Sequence, residues 1–400
     1  MNLPKKPLHK RNVYLDHAAA TPLRKEVLCE VEPWLKKHYA NPSGLYGDGV
    51  FVRKHIEASR KDVAAILHTN PDTIVFTSGG TESVNLAILG VARAHAIHGK
   101  HIITTRIEHR AVLGPIEYLE RQGFEVTYLD ADETGMISPA EFKRALRKGT
   151  ILVSIMYANN EIGTIEPIAQ IGKEILKWRK NNDTVYPYFH SDACQAAGTL
   201  DLNVEKLHVD LMSINASKIY GPKGVGLLYK RRGFDIEPLL YGGGQEHDLR
   251  SGTENIAGIA GLAKALVLAN HEKQSTVADI RDVRDYFCKR LQEEVKDITI
   301  NGPALESDSR TVFNLHVSFV GVEADALVLY LDEYGIMCSK GSACETDSGD
   351  SHVLKAIGLS ADQIKGAVRF TLGGETNKKD IDYVMKCLPG IVDSLRNLPQ

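Results

Sequence analysis

Residues 210–230 read "DLMSINASKIYGPKGVGLLYK". The runs "DLMSIN" and "VGLLYK" are apolar stretches of strand length, and the glycines and proline between them punctuate a turn. Working outward toward the N-terminus, "TIVFTS", "HIITT", "EVTYL", "TILVSIMY" and "YPYFHSDA" read as further strands. They alternate with the helical patterns "ESVNLAILGVARAHA", "AVLGPIEYLERQG" and "PIAQIGKEILKWRK". Near-continuous apolar strands separated by helices predict an α/β fold with a mostly parallel sheet covered on both faces. Toward the C-terminus, the Gly-rich "YGGGQEHDLRSGTEN" leads into a helical pattern over 254–296. Beyond it, "TVFNLHVSFV" and "AVRFTLG" read as strands, with "EADALVLYLDEYG" and "DIDYVMKCLPGIVDSLRNL" as helices. The expected division is a large α/β domain over 14–262 and a smaller α+β domain from 1–13 and 263–400.

Four hundred residues, 43% hydrophobic and 25% charged, suit a globular protein too large for one core. A formal charge of -3 gives no global field to hold a polyanion, so nucleic acid is not implied. The basic head "PKKPLHKR" precedes no apolar segment, and no run of about 18 apolar residues occurs. No membrane span is expected, and the expected location is the cytoplasm. Six cysteines, at 29, 194, 288, 338, 344 and 387, form no C-x-x-C pair and are too sparse for a disulfide scaffold. Cys29, Cys288 and Cys387 fall in helical patterns and are expected in the core, and Cys338 is expected to pack at the end of a strand. Cys344 differs: it lies in "CSKGSACETDSGDS", residues 338–351, where small residues leave little bulk to bury and a thiol can stay exposed.

Ligands of open α/β sheets bind at the carboxyl ends of strands. There "TIVFTS" is followed by "GGTES", whose Gly80 and Thr81 can open a helix with free N–H groups aimed at an anion. "FHSDACQ" ends a strand on Asp192, a carboxylate able to keep a heterocyclic nitrogen protonated. Lys218 follows one unit later and can form a Schiff base with an aldehyde. On spacing alone a pyridoxal site is one option among several, and Lys223 competes with Lys218. The histidines of "HAIHGKH", His95, His98 and His101, have no carboxylate or thiol beside them, so a solvated helix end is the better reading than a metal site.

The motifs "VYLDHAAATP", "NPSG", "FTSGGTESVNLAI", "EHRAVL", "YANNEIGTI", "SDACQAAG", "SKIYGPKGVG", "GGGQEHDLRSGTEN", "GSAC" and "AVRFTLG" occur in order over about residues 13–390. In this the chain resembles the cysteine desulfurases, fold-type I pyridoxal-phosphate enzymes of the class-V aminotransferase family, in their group with a long active-site loop. The resemblance implies a seven-stranded, mostly parallel sheet in the large, cofactor-binding domain, with the catalytic cysteine on the loop 338–351 of the small one. It implies Lys218 as the Schiff-base residue, Asp192 at the ring nitrogen, and Gln195 and Asn160 at the ring hydroxyl and the substrate side. His109 matches the imidazole that stacks on the ring and moves protons. Gly80 and Thr81 match the phosphate turn, with Asn215 and Ser217 at its side. Thr253 matches a residue that reaches the phosphate of a neighbouring subunit, which implies a homodimer. Arg369 matches the clamp on the substrate carboxylate. Cys344 would attack the sulfur of cofactor-bound L-cysteine, leave as a persulfide and release L-alanine.

Three positions depart from the family pattern. Ser217 stands where His is usual, with Asn215 where Ser or Thr is common, so weaker cofactor retention is expected. Tyr46 stands where His is frequent, and the chain ends at "LRNLPQ" without the tail by which some members dock a scaffold. The sulfur acceptor implied is an iron–sulfur scaffold, a tRNA thiolation enzyme or a DNA-modification system. The competing readings are a selenocysteine lyase, another pyridoxal-phosphate lyase or aminotransferase, and a catalytically silent sulfur-carrier platform.

Overall fold

The computed structural model describes residues 10–341 and 350–397. A short strand β1 (Val13–Tyr14) precedes helices α1 (Lys25–Lys36) and α2 (Gly47–Leu67). Strand and helix then alternate through β2 (Ile74–Thr77), α3 (Gly80–His95), β3 (His101–Thr105), α4 (Arg110–Arg121), β4 (Glu125–Leu129) and β5 (Thr150–Ser154). They continue with α5 (Ile168–Asn181), β6 (Tyr188–Asp192), β7 (Leu211–Asn215) and β8 (Gly226–Lys230). Seven of these strands form one sheet in the order β2-β8-β7-β6-β5-β3-β4.

Strand β8 runs antiparallel to both neighbours, and the other pairings are parallel. The reason lies in the stretch 210–230. Residues 216–225 are too few for the crossover that a parallel partner of β7 would need, so the chain turns back on itself. The carboxyl ends of β2, β3, β5, β6 and β7 therefore share one edge of the sheet. Successive strand residues face opposite ways, and both faces are apolar. Ile103, Val153 and Met212 enter the core shared with α1, α2 and α5, while Ile102, Leu152 and Leu211 enter the core under α3 and α4.

A 39-residue helix, α6 (Ile256–Glu294), about 58 Å long at 1.5 Å per residue, joins this unit to a second one. Its Ile259, Leu262 and Leu266 lie in the first core, and its Phe287 and Leu291 in another. That second core is built on the antiparallel sheet β12-β10-β9, from β9 (Ile298–Asn301), β10 (Asn314–Phe319) and β12 (Ala367–Thr371). Helices α7 (Ala324–Glu333) and α8 (Lys378–Arg396) cover it. Strand β11 (Ile336–Met337) pairs in parallel with β1, and Val13 and Leu15 share this core. From there residues 16–20 cross back to the edge of the large sheet.

One expectation is corrected. Cys29 is exposed, because α1 buries Val27, Val31 and Trp34 at helical spacing and Cys29 falls on the other face. Cys288, Cys338 and Cys387 are buried.

Candidate active site

Asp192 is the last residue of β6, and Lys218 ends the single 3-10 turn after β7, the strand paired with β6. The turn is capped by Asn215, whose side chain accepts from Ser217 N at 3.2 Å. Lys218 Nζ donates to Ala18 O at 2.8 Å and Ala19 O at 2.5 Å, and Gln195 Nε2 donates to the same Ala18 O at 2.9 Å. The segment after β1 thus lies directly against the lysine. Lys223, its rival in the sequence, is exposed. A cavity of about 400 Å³ opens here, with Lys218, Gln195, Cys194, His17 and Tyr220 in its wall.

Asp192 is buried, and its Oδ1 accepts from Cys194 N at 2.9 Å. Burial first, and then the Asp192 charge, push the Cys194 thiol well above its ordinary range, so it stays protonated. His109 follows β3 and caps α4, its Nδ1 accepting from Ala111 N at 3.1 Å. Its Nε2 therefore carries the proton in the neutral tautomer. Burial lowers its pKa, opposed by Asp192 and reinforced by Lys218 and His352. The imidazole is neutral at pH 7. The preceding Glu108 is fully buried and accepts from Met156 N at 2.9 Å and Thr105 Oγ1 at 3.0 Å, and its own carbonyl meets His352 Nε2 at 2.9 Å. Burial raises the Glu108 pKa far above the usual carboxylate value.

After β2, Gly79 takes φ +154°, a conformation suited to glycine, and α3 begins at Gly80. A Cβ on Gly80 would sit 2.8 Å from Cys194 Sγ and 3.3 Å from Asn215 Cβ, so a side chain there would press on the floor of the site. Thr81 is exposed in the first turn of α3. Asn160, in the turn after β5, accepts on its carbonyl from Arg369 Nη1 at 2.8 Å, while its side chain has no hydrogen-bond partner among the described residues. The neighbouring Asn159 is committed instead to Glu161 N, Ile162 N and Ile107 O.

Arg369, on β12, is 2% exposed. Nη1 also reaches Gly341 O at 3.3 Å, Nη2 donates to Asp16 Oδ1 at 2.7 Å, and Nε is buried without a partner among the described residues. Asp16 and Glu161 were not singled out by the sequence reading. Their signal was present, since each carboxylate stands inside a motif already quoted, "VYLDHAAATP" and "YANNEIGTI". Glu161 Oε2 accepts from Ser351 Oγ at 2.6 Å.

Lys218, Asp192, Gln195, Asn160, His109, Gly80, Thr81, Asn215 and Ser217 thus gather at one edge, with Arg369 beside Asn160. Thr253 is exposed, in the loop between β8 and α6. Cys344 lies outside the described residues. The expected solvated helix end holds for His98 alone: His95 and His101 are buried, because His95 meets Tyr186 Oη and Asp235 O, and His101, on β3, meets the Thr150 and Thr127 hydroxyls. Tyr46 is exposed at the start of α2.

The sequence profile of the class-V aminotransferases matches residues 13–384. A protein named cysteine desulfurase IscS, from Dictyoglomus turgidum, is 48% identical over 390 residues, 97% of this chain and 96% of that one. The chain is a class-V aminotransferase of the cysteine desulfurase group. A solved NifS-like protein superposes on this cysteine desulfurase with a TM-score of 0.89 at 36% identity, over 96% of this chain and 100% of that one. A structure of SspA in complex with cysteine superposes with a TM-score of 0.78 at 35% identity, over 91% and 100% of the two chains.

The cofactor of these enzymes is pyridoxal 5'-phosphate, and the residues present fit it. The start of the 16-residue α3, kept clear by Gly79 and Gly80, offers N–H groups to a phosphate. A buried carboxylate ends β6 and a half-buried amine ends the turn after its paired strand β7, which supplies a partner for a ring nitrogen and an amine for an aldehyde. Among the described residues no helix is long and apolar enough to cross a membrane.

Proposed function

We propose that this cysteine desulfurase converts L-cysteine to L-alanine, carries the sulfur away as a persulfide on Cys344, and works as a cytoplasmic homodimer that hands the sulfur to an acceptor protein. The observation that carries the reading is that Asp192 and Lys218 stand at the ends of two paired strands, Lys218 in the turn after β7, beside the Gly79–Gly80 turn. In this reading Lys218 holds the cofactor's aldehyde, Asp192 its ring nitrogen, Gln195 its hydroxyl, and Gly80, Thr81, Asn215 and Ser217 its phosphate, with Thr253 entering from the neighbouring subunit. When bound, pyridoxal phosphate supplies an electron sink that makes the substrate's Cα–H acidic and its carbon–sulfur bond breakable.

The chain's own groups do the rest. Arg369 holds the substrate carboxylate, helped by the uncommitted side chain of Asn160. Lys218 would be the base at Cα. Neutral His109 presents Nε2–H toward the substrate side and moves a proton there. Cys344 attacks the substrate sulfur as a thiolate. The bond from sulfur to Cβ breaks, its electron pair stays with the carbon, and protonation at Cβ and Cα yields alanine. Cys194 takes no part, since its thiol is held protonated.

Acceptors serving iron–sulfur cluster assembly or tRNA thiolation fit a relative whose name is cysteine desulfurase IscS. The test is to incubate the protein with L-cysteine, with and without reductant, and to measure alanine, sulfide and persulfide mapped to a residue. With reductant, alanine and sulfide in equal amounts are expected; without it, alanine matched by persulfide on Cys344. A Cys344→Ser variant that keeps its turnover on L-cysteine would overturn the persulfide route and favour a selenocysteine-lyase type of reaction.

A further inference from the structure

The loop that carries Thr253 is strained at its centre. Glu246, His247 and Asp248 have φ of 48°, 60° and 63°, three successive residues with side chains in the left-handed region. Such residues are strained and persist only where their surroundings hold them. Here the holding group is Glu246, 6% exposed, whose carboxylate takes Arg60 Nη1 at 2.7 Å and Nη2 at 2.8 Å, and also accepts from Phe76 N at 2.7 Å. Arg60, on α2 and 3% exposed, donates to Ile74 O at 2.8 Å and lies over the Phe76 ring at 4.8 Å.

The location of this pair is informative. Strand β2 is an edge of the large sheet, bonded to β8 on one side only. Arg60 and Glu246 satisfy a carbonyl and an N–H on its other side, where a further strand would otherwise pair. Three residues past Phe76 comes Gly79, and then the Gly80 start of α3. A second fastening grips the same turn from beyond, since Arg250 Nε donates to Glu82 Oε1 at 3.0 Å while Glu82 Oε2 accepts from Ser78 N at 2.8 Å. Inside the loop, Gln245 Oε1 accepts from Gly252 N at 3.0 Å, immediately before Thr253. A buried ion pair contributes little to stability compared with apolar packing, but it can fix one geometry among several.

We propose that Arg60 and Glu246 are positioning residues for cofactor binding across the subunit boundary: they lock residues 244–253 against a protomer's own phosphate turn and so set where Thr253 meets the phosphate held by its partner. The proposal rests on the reading of Thr253 given above.

The experiment measures the dissociation constant of pyridoxal phosphate from the dimer by titration of the apoprotein. Glu246→Gln is expected to weaken binding about ten-fold, Thr253→Ala by a similar factor, and the double variant no more than Thr253→Ala alone. Arg60→Lys, which keeps the charge but loses the fork, serves if Glu246→Gln does not fold, and it should behave alike. Asp210→Asn, which disturbs another buried ion pair with Arg179 at the opposite end of β7, should lower the melting temperature and leave the affinity unchanged.

Mixed dimers then test the crossing. With Glu246→Gln and Lys218→Ala on one protomer, the remaining lysine site should bind weakly; with the two changes on different protomers it should bind normally. Binding that is weak only in the second arrangement overturns the proposal. So does Glu246→Gln without effect beside a Thr253→Ala that weakens binding, or full additivity of the two. A Thr253→Ala dimer with native affinity overturns the reading of Thr253 and, with it, the proposal.

Discussion

Around Lys218 the protein leaves polar side chains uncommitted, whereas around Arg369 it commits them to one another. Ser217 and Asn160 have side chains without hydrogen-bond partners among the described residues, and Asp192 uses one oxygen of two. Arg369 already holds two carbonyls and a carboxylate. The sheet edge is thus a ready-made receptacle, because strand pairing alone fixes its geometry before any ligand arrives. The arginine site is different. In the proposed reading a substrate carboxylate would share the guanidinium with Asp16 or displace it, so binding there would be an exchange of partners.

The contrast can be broken or sharpened by substitution. Lys218→Ala should have the largest effect, a fall in turnover of about 10³–10⁴-fold and loss of the borohydride-fixed adduct at residue 218 by mass spectrometry. Arg369→Lys loses the planar fork and should raise the KM for L-cysteine by roughly ten- to a hundred-fold with a smaller change in kcat. Ser217→His should add a partner at the receptacle and tighten pyridoxal-phosphate binding by about ten-fold, whereas equal affinity would remove Ser217 from the phosphate's surroundings. Asp16→Asn keeps an acceptor but removes the competing charge, so KM should fall a few-fold while the melting temperature drops. A rise in KM would mean that Asp16 orients the guanidinium and does not compete for it.

A separate effect, on stability alone, concerns Glu166, a buried acid between β5 and α5. Burial raises the pKa of Glu166 from 4.5 to about 8, so its carboxyl stays protonated when folded and ionises when unfolded. Its contribution to stability is complete below pH 4.5 and is lost as pH rises to 8. Glu166→Gln should therefore gain stability relative to the native protein across that window, by on the order of 1–3 kcal/mol, and show no pH trend below it. Denaturant melts at several pH values decide this.

The α/β order and the strand ends at Asp192 and Gly80 were legible because each stands at a boundary between a periodic apolar run and a loop of small residues, whereas spacing left Lys218 and Lys223 open and only the family resemblance chose Lys218. The reversal of β8 was legible in principle too, from the short link 216–225. What could not be read were the partners of Arg369 and Glu246: Asp16 and Arg369, 353 positions apart, meet only where the second unit is set against the first, and Arg60 and Glu246, 186 positions apart, meet only once α2 and the loop after β8 have both packed on β2. Cys29 misled for a related reason. A helical pattern tells that one face is buried, and only the neighbours Val27, Val31 and Trp34 tell which.

The long helix α6 makes the two cores share one rotational phase. Because it is continuous from Ile256 to Glu294 and anchored at both ends, inserting a single residue near its exposed middle would turn one anchor against the other by about 100° and advance it by about 1.5 Å. Arg369 and Lys218, on the two units, would then lose the relation that the proposed function needs, although neither had been touched. Helical pitch, as much as side-chain chemistry, keeps the two halves of this enzyme in step.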